Sequence, residues 1–454
     1  MTDWLDTTFE LRLGPPGHGG FCVGRHEGRV VFVRHGLPGE LVRARVTEDR
    51  GGSFCRADAI EILEPSPDRV PPTCPVSGPG GAGCCDFSFA TPVAQRALKA
   101  TVVAEQLRRI ARLEREITVE PIAGYPADAT GGWRTRIRLA VDARGRAGVH
   151  RLRSTEVITD LRCPQPVSGA LDGVAERLWT PGAELVIAVD GDGVRHIVEL
   201  AVPVSAGGRA GQRRGSDRPG ADRRGKGRRE GERPSGSNAP RDGERRNAAA
   251  RRAAVHATRE ESVLEGSGRT VEYVAGRRWD ISATGFWQAH HGAAQCYSDI
   301  VAEWSGVGFG DLAWDLYSGA GVFAARLADQ VGPDGAVLAV ESARPAVADG
   351  TVALRDLPWV DLRADRVERW LAEQGSATPD VVVLDPPRTG AGKEVAAAIG
   401  AHNAGRIIHI GCDPAAFARD LSLYQAAGFR LAELRAFDAF PATHHVECLA
   451  LLER

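Results

Sequence analysis

The 454-residue chain is predicted to be an α/β protein with a small N-terminal β-barrel, a mostly β central segment and a C-terminal doubly wound α/β domain. Three observations predict this class. Residues 1–66 alternate between polar and apolar side chains and contain glycine-rich turns. Residues 133–150 and 183–204 alternate in the same way. From about residue 280, short apolar runs alternate with helical stretches, which is typical of buried parallel strands joined by crossover helices.

The first unit is predicted to be a barrel because its strands are short and closely spaced. Alternation over residues 8–13, 29–34 and 40–46 is broken by glycines, and a proline-rich stretch ends the unit. Beyond it, apolar residues at helical spacing predict a helix over 93–115. We expect this helix to pack on the C-terminal domain, which is assigned to residues 276–454.

The central segment, residues 67–275, contains an insertion of unusual composition. Between about 205 and 255 the chain has almost no large apolar residue, so the insertion is predicted to be disordered. Residues 201–260 carry 16 Lys and Arg against 7 Asp and Glu, although the whole chain has a net charge of −2. An acidic body with one basic run is unlike a generic nucleic-acid binder, and a solvated linker is favoured over an RNA-binding arm.

Several classes are disfavoured by composition. No apolar run approaches the ~18–20 residues of a membrane helix, and the first residues lack the basic and apolar regions of a secretory signal. We therefore expect a cytoplasmic protein, a monomer with no membrane partner. In that setting, clustered cysteines indicate metal or catalytic use rather than a disulfide framework.

Two segments of the C-terminal domain predict a nucleotide-type cofactor. Asp315-Leu-Tyr-Ser-Gly-Ala-Gly follows an apolar run and precedes a helix, and Gly319 would allow the backbone to approach a ligand closely. Glu341 ends the next predicted strand and is suited to ribose hydroxyls. An ordinary tight turn with a solvated glutamate is the alternative. Asp385-Pro-Pro-Arg follows a further strand, and its two prolines stiffen the loop that presents Asp385.

Two reactive side chains lie near the same predicted cleft. Cys412 follows an apolar strand and precedes a helix, where the helix N-terminus can lower the pKa of a thiol. A buried, inert cysteine explains this position equally well. His445 and Glu447 are two residues apart and would share one side of a strand. A structural imidazole and a solvent-facing glutamate are the alternatives for this pair.

The order of these motifs is more specific than any one of them. D-L-Y-x-G-x-G, D-P-P-R-x-G, C-D-P and D-x-F-P-x-T-x-H-x-E follow one another, and Phe286-Trp-Gln288 precedes them. This series resembles the RNA uracil-5-methyltransferases, a family that uses S-adenosylmethionine. Residues 19–25, 31–40 and 61–74 are similar to the TRAM domain, the RNA-binding barrel of the ribosomal-RNA branch. The resemblance covers essentially the whole chain outside 205–255.

The resemblance implies a role for each candidate residue. Cys412 would be the nucleophile, Glu447 the general base, and Asp385 would lie beside the target base and the methyl donor. The implied cofactor-binding residues are Gln288, Tyr317, Gly319, Glu341 and Asp385. The chemistry needs both a thiolate and a base, because C5 of uracil becomes nucleophilic only after a thiolate has added at C6. The target uridine must also leave its stack.

The resemblance also implies a [4Fe–4S] cluster. Cys74, Cys85 and Cys163 match the cluster pattern of TRAM-containing members, but Ala82 occupies the position of the remaining ligand. Cys84, next to Cys85, would have to be the fourth thiolate. The alternative is a loop of reduced thiols.

The function expected from the sequence is methyl transfer from S-adenosylmethionine to C5 of a uridine in RNA, with 23S rRNA preferred. The same reaction on tRNA is the nearest alternative, because the pocket motifs do not encode the substrate. An amino-directed methyltransferase would need neither Cys412 nor Glu447. The alternative from another class is a non-catalytic RNA-binding or assembly protein that retains a methyltransferase shell.

Overall fold

The structure, a computed structural model, describes residues 4–202 and 259–454. The basic insertion at 205–255 lies outside the described residues, so its disorder stays a prediction. In the described part, the strands form sheets of six, six, two and eight strands. No helix in the two described ranges is long and apolar enough to cross a membrane.

The first six-stranded sheet is N-terminal, in the order β1-β5-β6-β4-β3-β2. Its strands are β1 (Thr8–Arg12), β2 (Pro16–Gly17), β3 (Phe21–His26), β4 (Arg29–Arg34), β5 (Leu41–Asp49) and β6 (Phe54–Glu64). Alternate residues such as Val31, Val33 and Val42 are buried in one core, as the period-two pattern predicts. All pairings are antiparallel except that of β4 with β6.

A helix then connects this sheet to the C-terminal domain. Helix α1 (Pro92–Gln106) begins at Thr91, whose side chain accepts a hydrogen bond from Ala94 N, an ordinary N-cap. It continues as a π-helical turn (Leu107–Ala111) and ends at Arg112, which has a left-handed φ of 58°. The apolar face packs into the C-terminal domain through residues that include Val103 and Leu107.

The second six-stranded sheet is central, in the order β10-β9-β8-β11-β12-β13. Its strands are β8 (Arg136–Val141), β9 (Ala147–His150), β10 (Val157–Ile158), β11 (Glu184–Val189), β12 (Arg195–Leu200) and β13 (Glu261–Glu265). The two-stranded sheet is the hairpin of β14 (Arg269–Val274) and β15 (Arg277–Ser282). Trp279 of this hairpin donates a hydrogen bond to Ala320 O, which attaches the hairpin to the C-terminal domain.

The eight-stranded sheet has the order β18-β17-β16-β19-β20-β22-β21-β7. Its strands are β7 (Val119–Pro121), β16 (Leu312–Leu316), β17 (Ala336–Glu341), β18 (Val360–Ala364), β19 (Val381–Leu384), β20 (Arg406–Gly411), β21 (Arg430–Asp438) and β22 (Glu447–Glu453). Strands β16 to β20 are parallel, and β22 is antiparallel to both β20 and β21. Its helices are α2 (Ala293–Ser305), α3 (Val322–Val331), α4 (Arg344–Ala353), α5 (Val367–Ala372), α6 (Gly392–Ala401) and α7 (Pro414–Ala426).

Each face of the eight-stranded sheet has its own core. One core contains Ile408, Ile410 and residues of α2 and α3, and we call that side the α2–α3 face. The other core contains Ile407 and residues of α5, α6 and α7. Because successive strand residues alternate between faces, a sheet covered on both sides requires nearly continuous apolar strands. The predicted doubly wound α/β fold class is confirmed.

A buried ion pair fastens α1 to the end of β21. Lys99 is completely buried, and its Nζ contacts Asp438 and donates to Phe440 O at 3.0 Å. One turn earlier, Gln95 Oε1 accepts a hydrogen bond of 2.7 Å from Ala442 N. Both contacts hold the segment that leads from β21 to β22, and therefore to Glu447.

Candidate active site

The strand ends of the eight-stranded sheet bring Cys412 and Glu447 together. Gly411, the last residue of β20, is paired with Cys448 of β22, so Cys412 and Glu447 are the next residues beyond the end of this antiparallel pair. Cys412 follows Ile410 by two residues, and Glu447 precedes Leu449 by two; Ile410 and Leu449 both belong to the core of the α2–α3 face. The alternation of strand residues therefore directs both side chains to one face.

Glu447 is an uncommon carboxylate because it is buried, with 5% of its surface exposed. Burial and repulsion from Asp385 raise the pKa of Glu447 well above its usual value, although the charge of Arg388 opposes the shift. In the free protein, burial and Asp385 therefore act in favour of the neutral form of Glu447. A general base must lose this proton, so groups that stabilise the charged form matter for its action.

Asp385, at the end of β19, lies beside this pair. Gln288 Nε2 donates a hydrogen bond of 3.1 Å to Asp385 Oδ2. Burial raises the pKa of Asp385 to about 7, and the hydrogen bond from Gln288 limits the shift. Gln288 and Asp385, which two separate sequence motifs indicate, are therefore in direct contact.

The Cys412 thiol does not have the low pKa that its position before a helix indicates. Burial and the charge of Glu447 raise the pKa of Cys412 to about 12, and Arg388 acts in the opposite direction. The expected lowering is wrong for the free protein. Asp413 caps α7, because its Oδ1 accepts hydrogen bonds from Ala415 N and Ala416 N, so the helix N-terminus already has a negative partner.

The predicted cofactor loop lies at the ends of β16 and β17. Gly319 N donates a hydrogen bond of 3.2 Å to Glu341 Oε2. Tyr317, with φ of 61°, and Gly319, with φ of 56°, both adopt the left-handed conformation, and the space beside the Gly319 Cα is open. In the described part of the chain, Asp315 Oδ1 and Ser318 Oγ are buried without a hydrogen-bond partner. An open backbone with unused polar atoms fits a polar ligand such as S-adenosylmethionine.

The N-terminal sheet reaches the same place. His18 Nε2 lies 3.0 Å from Asp413 Oδ2, next to Cys412. Asp86 forms an ion pair with Arg34 of β4, and its other carboxylate oxygen contacts Nδ1 of His444, in the loop before β22. His18 and Asp413 are 395 residues apart in the sequence, so no local sequence pattern could predict this contact.

Arg388 is a site residue that the sequence argument left without a role. Its guanidinium NH2 lies 2.9 Å from His445 Nε2, and its charge favours the ionised forms of both Cys412 and Glu447. The sequence signal that could have indicated Arg388 is its place as the fourth residue of the Asp385-Pro-Pro-Arg motif. A cation that serves both reactive groups is useful where a thiolate and a carboxylate must coexist.

The four cysteines of the predicted iron–sulfur site lie close together in the structure. Cys85 is hydrogen-bonded to both Cys74 and Cys84, and this interaction lowers the pKa of Cys74 to about 7. Gln165 Nε2 donates to Cys85 Sγ at 3.2 Å. Burial raises the pKa of Cys163 to about 11, and the nearby Cys84 and Cys74 add to this increase. Among the residues that the structure describes, no group of three or more His, Cys, Asp or Glu side chains is placed to hold a metal ion. The predicted [4Fe–4S] cluster is unsupported.

The contact between His18 and Asp413 predicts a pH-dependent attachment of the barrel. The hydrogen bond and charge of Asp413 raise the pKa of His18. The stability that this contact contributes is therefore fully present below the unfolded pKa of about 6.5. It is lost as pH rises through the raised folded pKa. Urea midpoints measured from pH 6 to 9 should therefore show His18→Gln less stable at pH 6 and converging with wild type at pH 9. A difference that stays constant across this range would contradict the ion pair.

The fold and site define an S-adenosylmethionine-dependent methyltransferase joined to an RNA-binding barrel. The sequence model of the family described as tRNA (Uracil-5-)-methyltransferase matches residues 373–454, and the TRAM domain matches residues 7–59. An uncharacterized RNA methyltransferase of Streptomyces avermitilis is 40% identical over 98% of both chains. One from Corynebacterium glutamicum is 35% identical over 100% of both chains. The chain belongs to the family of S-adenosylmethionine-dependent RNA uracil-5-methyltransferases.

A solved structure supports the fold independently. The Pyrococcus abyssi tRNA (uracil-54, C5)-methyltransferase, in complex with S-adenosyl-L-homocysteine, superimposes with a TM-score of 0.66. The match covers 97% of this chain and 99% of that one, at 18% sequence identity. At this identity the match establishes the shared fold.

Proposed function

We propose that this protein methylates C5 of one uridine in 23S rRNA through a covalent bond between Cys412 Sγ and C6 of uracil. The observation that supports this mechanism is the pairing of Gly411 with Cys448, because Cys412 and Glu447 are the next residues on the same α2–α3 face. A nucleophile and a base on the same side of one pocket are the two groups that this chemistry requires.

Each residue then has a defined task. The Cys412 thiolate, favoured by Arg388, adds to C6 and makes C5 nucleophilic. S-adenosylmethionine, when bound, supplies the methyl group that C5 takes up. The Glu447 carboxylate next accepts the proton on C5, and the electrons of that C–H bond restore the C5–C6 double bond as the Cys412 thiolate leaves. The products are the 5-methyluridine, S-adenosylhomocysteine, the regenerated Cys412 thiolate and a protonated Glu447, which returns its proton to solvent.

The barrel supplies an aromatic surface for RNA. The ring centroids of Phe21 and Phe32 lie 6.2 Å apart, and those of Phe32 and Phe54 lie 5.6 Å apart. The Arg56 guanidinium lies over the rings of Phe21 and Phe54, and Phe54 is exposed. Aromatic rings with a nearby arginine are suited to stacking on unpaired bases. Phe21 follows the turn that carries His18, so this surface extends towards Cys412.

The choice of 23S rRNA depends on the resemblance of the barrel and cysteine loop to the ribosomal-RNA branch. The second candidate is tRNA, because the matching family model and the similar solved structure are both named for tRNA methylation. An iron–sulfur cluster is not part of the proposal.

Nucleoside mapping distinguishes these substrates. Deletion of the gene should remove one 5-methyluridine from 23S rRNA and leave tRNA unchanged, as measured by mass spectrometry of RNA fragments. Purified protein with labelled S-adenosylmethionine should restore that methyl group on 23S rRNA from the deletion strain. Loss of 5-methyluridine only from tRNA would move the assignment to tRNA. Unchanged 5-methyluridine in both RNAs would contradict the proposal.

A further inference from the structure

We propose that Tyr297 is a positioning residue for the general base, and that its hydroxyl donates a hydrogen bond to the Glu447 carboxylate during proton removal from C5. This inference rests on the proposed function, because it assigns a partner to the base of that reaction. It adds a residue outside the sequence motifs of the site, since Tyr297 lies on helix α2.

The position of Tyr297 follows from the sheet register. Glu447 of β22 is paired with Phe437 of β21, and directly opposite residues of an antiparallel pair project from the same face. The Tyr297 ring lies 6.1 Å from the Phe437 ring, measured between centroids. Tyr297, Phe437 and Leu449 belong to one core, on the α2–α3 face. Tyr297 therefore packs against the rung that carries Glu447.

The hydroxyl of Tyr297 is buried and forms no hydrogen bond with the described residues. Tyr297 is completely buried, and its OH has no hydrogen-bond partner within residues 4–202 and 259–454. Native proteins rarely leave such a group unpaired without a functional reason. After burial, the charge of Glu447 is the largest contributor to the raised pKa of Tyr297, so the phenol stays protonated and can donate a hydrogen bond.

Within residues 4–202 and 259–454, no hydrogen bond contributes to the pKa of Glu447. The charged and titratable groups around its carboxylate are Asp385, Arg388, Cys412, Cys448 and Tyr297. Asp385 disfavours the charged form, while Arg388 favours it. A hydrogen bond to the charged form favours ionisation. Without the hydroxyl, Glu447 should therefore ionise at higher pH, and proton removal should need more alkaline conditions.

The test is Tyr297→Phe, which removes only the hydroxyl. Release of tritium from RNA labelled at C5 of uridine should slow about tenfold in a single turnover at pH 7, and the acidic limb of its pH profile should move to higher pH. RNA containing 5-fluorouridine offers no proton at C5, so the methylated covalent adduct should form at the wild-type rate. A purely structural role of Tyr297 would slow both reactions equally.

Tyr424→Phe is the matched control. Tyr424 is also completely buried, but its OH lies 3.2 Å from His409 Nδ1 and its ring belongs to the opposite core. This variant should leave the acidic limb unchanged, and thermal melting of both variants reports any loss of stability. A wild-type pH profile and rate for Tyr297→Phe, or equal slowing on both RNAs, would overturn the proposal.

Failure of the proposed function gives a different result. If the wild-type protein forms no adduct with 5-fluorouridine RNA, the covalent mechanism itself fails, and the role assigned to Tyr297 fails with it. If the wild-type adduct forms but Tyr297→Phe behaves like wild type, only the inference about Tyr297 fails.

Discussion

Replacement of Cys412 by alanine is expected to reduce methyl transfer to RNA by about 10⁴-fold or more, the scale seen when a catalytic nucleophile is removed. The reason is chemical: without a thiolate at C6, C5 of uracil does not attack a sulfonium methyl group. Binding of S-adenosylhomocysteine should persist, because Cys412 follows β20 while the predicted cofactor loop lies between β16 and α3. Transfer of labelled methyl groups and calorimetric titration measure the two effects.

Glu447→Gln provides the complementary variant. It keeps the shape of the side chain but cannot accept a proton, so the methylated adduct between RNA and Cys412 should accumulate and survive denaturing electrophoresis. The Cys412→Ala protein should give no such band. Methyl transfer by Cys412→Ala at a rate near wild type would identify an amino-directed methyltransferase and exclude the covalent mechanism.

Replacement of Lys99 by methionine is expected to lower the free energy of unfolding by about 3–5 kcal/mol, the usual cost of breaking a buried ion pair. The substitution leaves the buried Asp438 without its cation, and Phe440 O without its donor. Burial lowers the pKa of Lys99, but Asp438 opposes the shift, so the pair stabilises the charged amine. Urea denaturation at neutral pH measures the change.

Two further variants make this prediction specific. Lys393 is exposed on α6, so Lys393→Met should change stability by less than about 0.5 kcal/mol. In the double variant Lys99→Met/Asp438→Asn no charge stays unpaired, so part of the loss should be recovered. A loss below about 1 kcal/mol for Lys99→Met alone would show that solvent reaches the pair.

The fold was predictable where a strand carries its own apolar signal. The runs that end at Glu341 and Gly411 became β17 and β20, because fully buried strands need continuous apolar sequence. Strand β18 (Val360–Ala364) was not predicted, since it lies at the sheet edge and is largely polar and partly exposed. Nor does any local pattern show that β7 pairs with β21, more than 300 residues away.

The candidate site was predictable to a similar degree. Short motifs indicated Cys412, Asp385 and Glu447, because each stands next to an apolar strand whose end is recognisable. The contributions of His18 and Tyr297 depend on tertiary contacts between distant segments, which leave no periodic signal. The pKa of the Cys412 thiol was assigned the wrong direction because burial and neighbouring carboxylates, rather than the helix terminus, determine it.

The close approach of Gly20 to the loop before β22 limits how the barrel can be exchanged. Gly20 has a φ of +80°, and a Cβ built there would lie 3.3 Å from the Cβ atoms of both Asp86 and His444. The barrel and the loop before β22 are therefore shaped to each other at atomic scale. A barrel transplanted from a distant homologue would need a partner loop of matching shape at this contact.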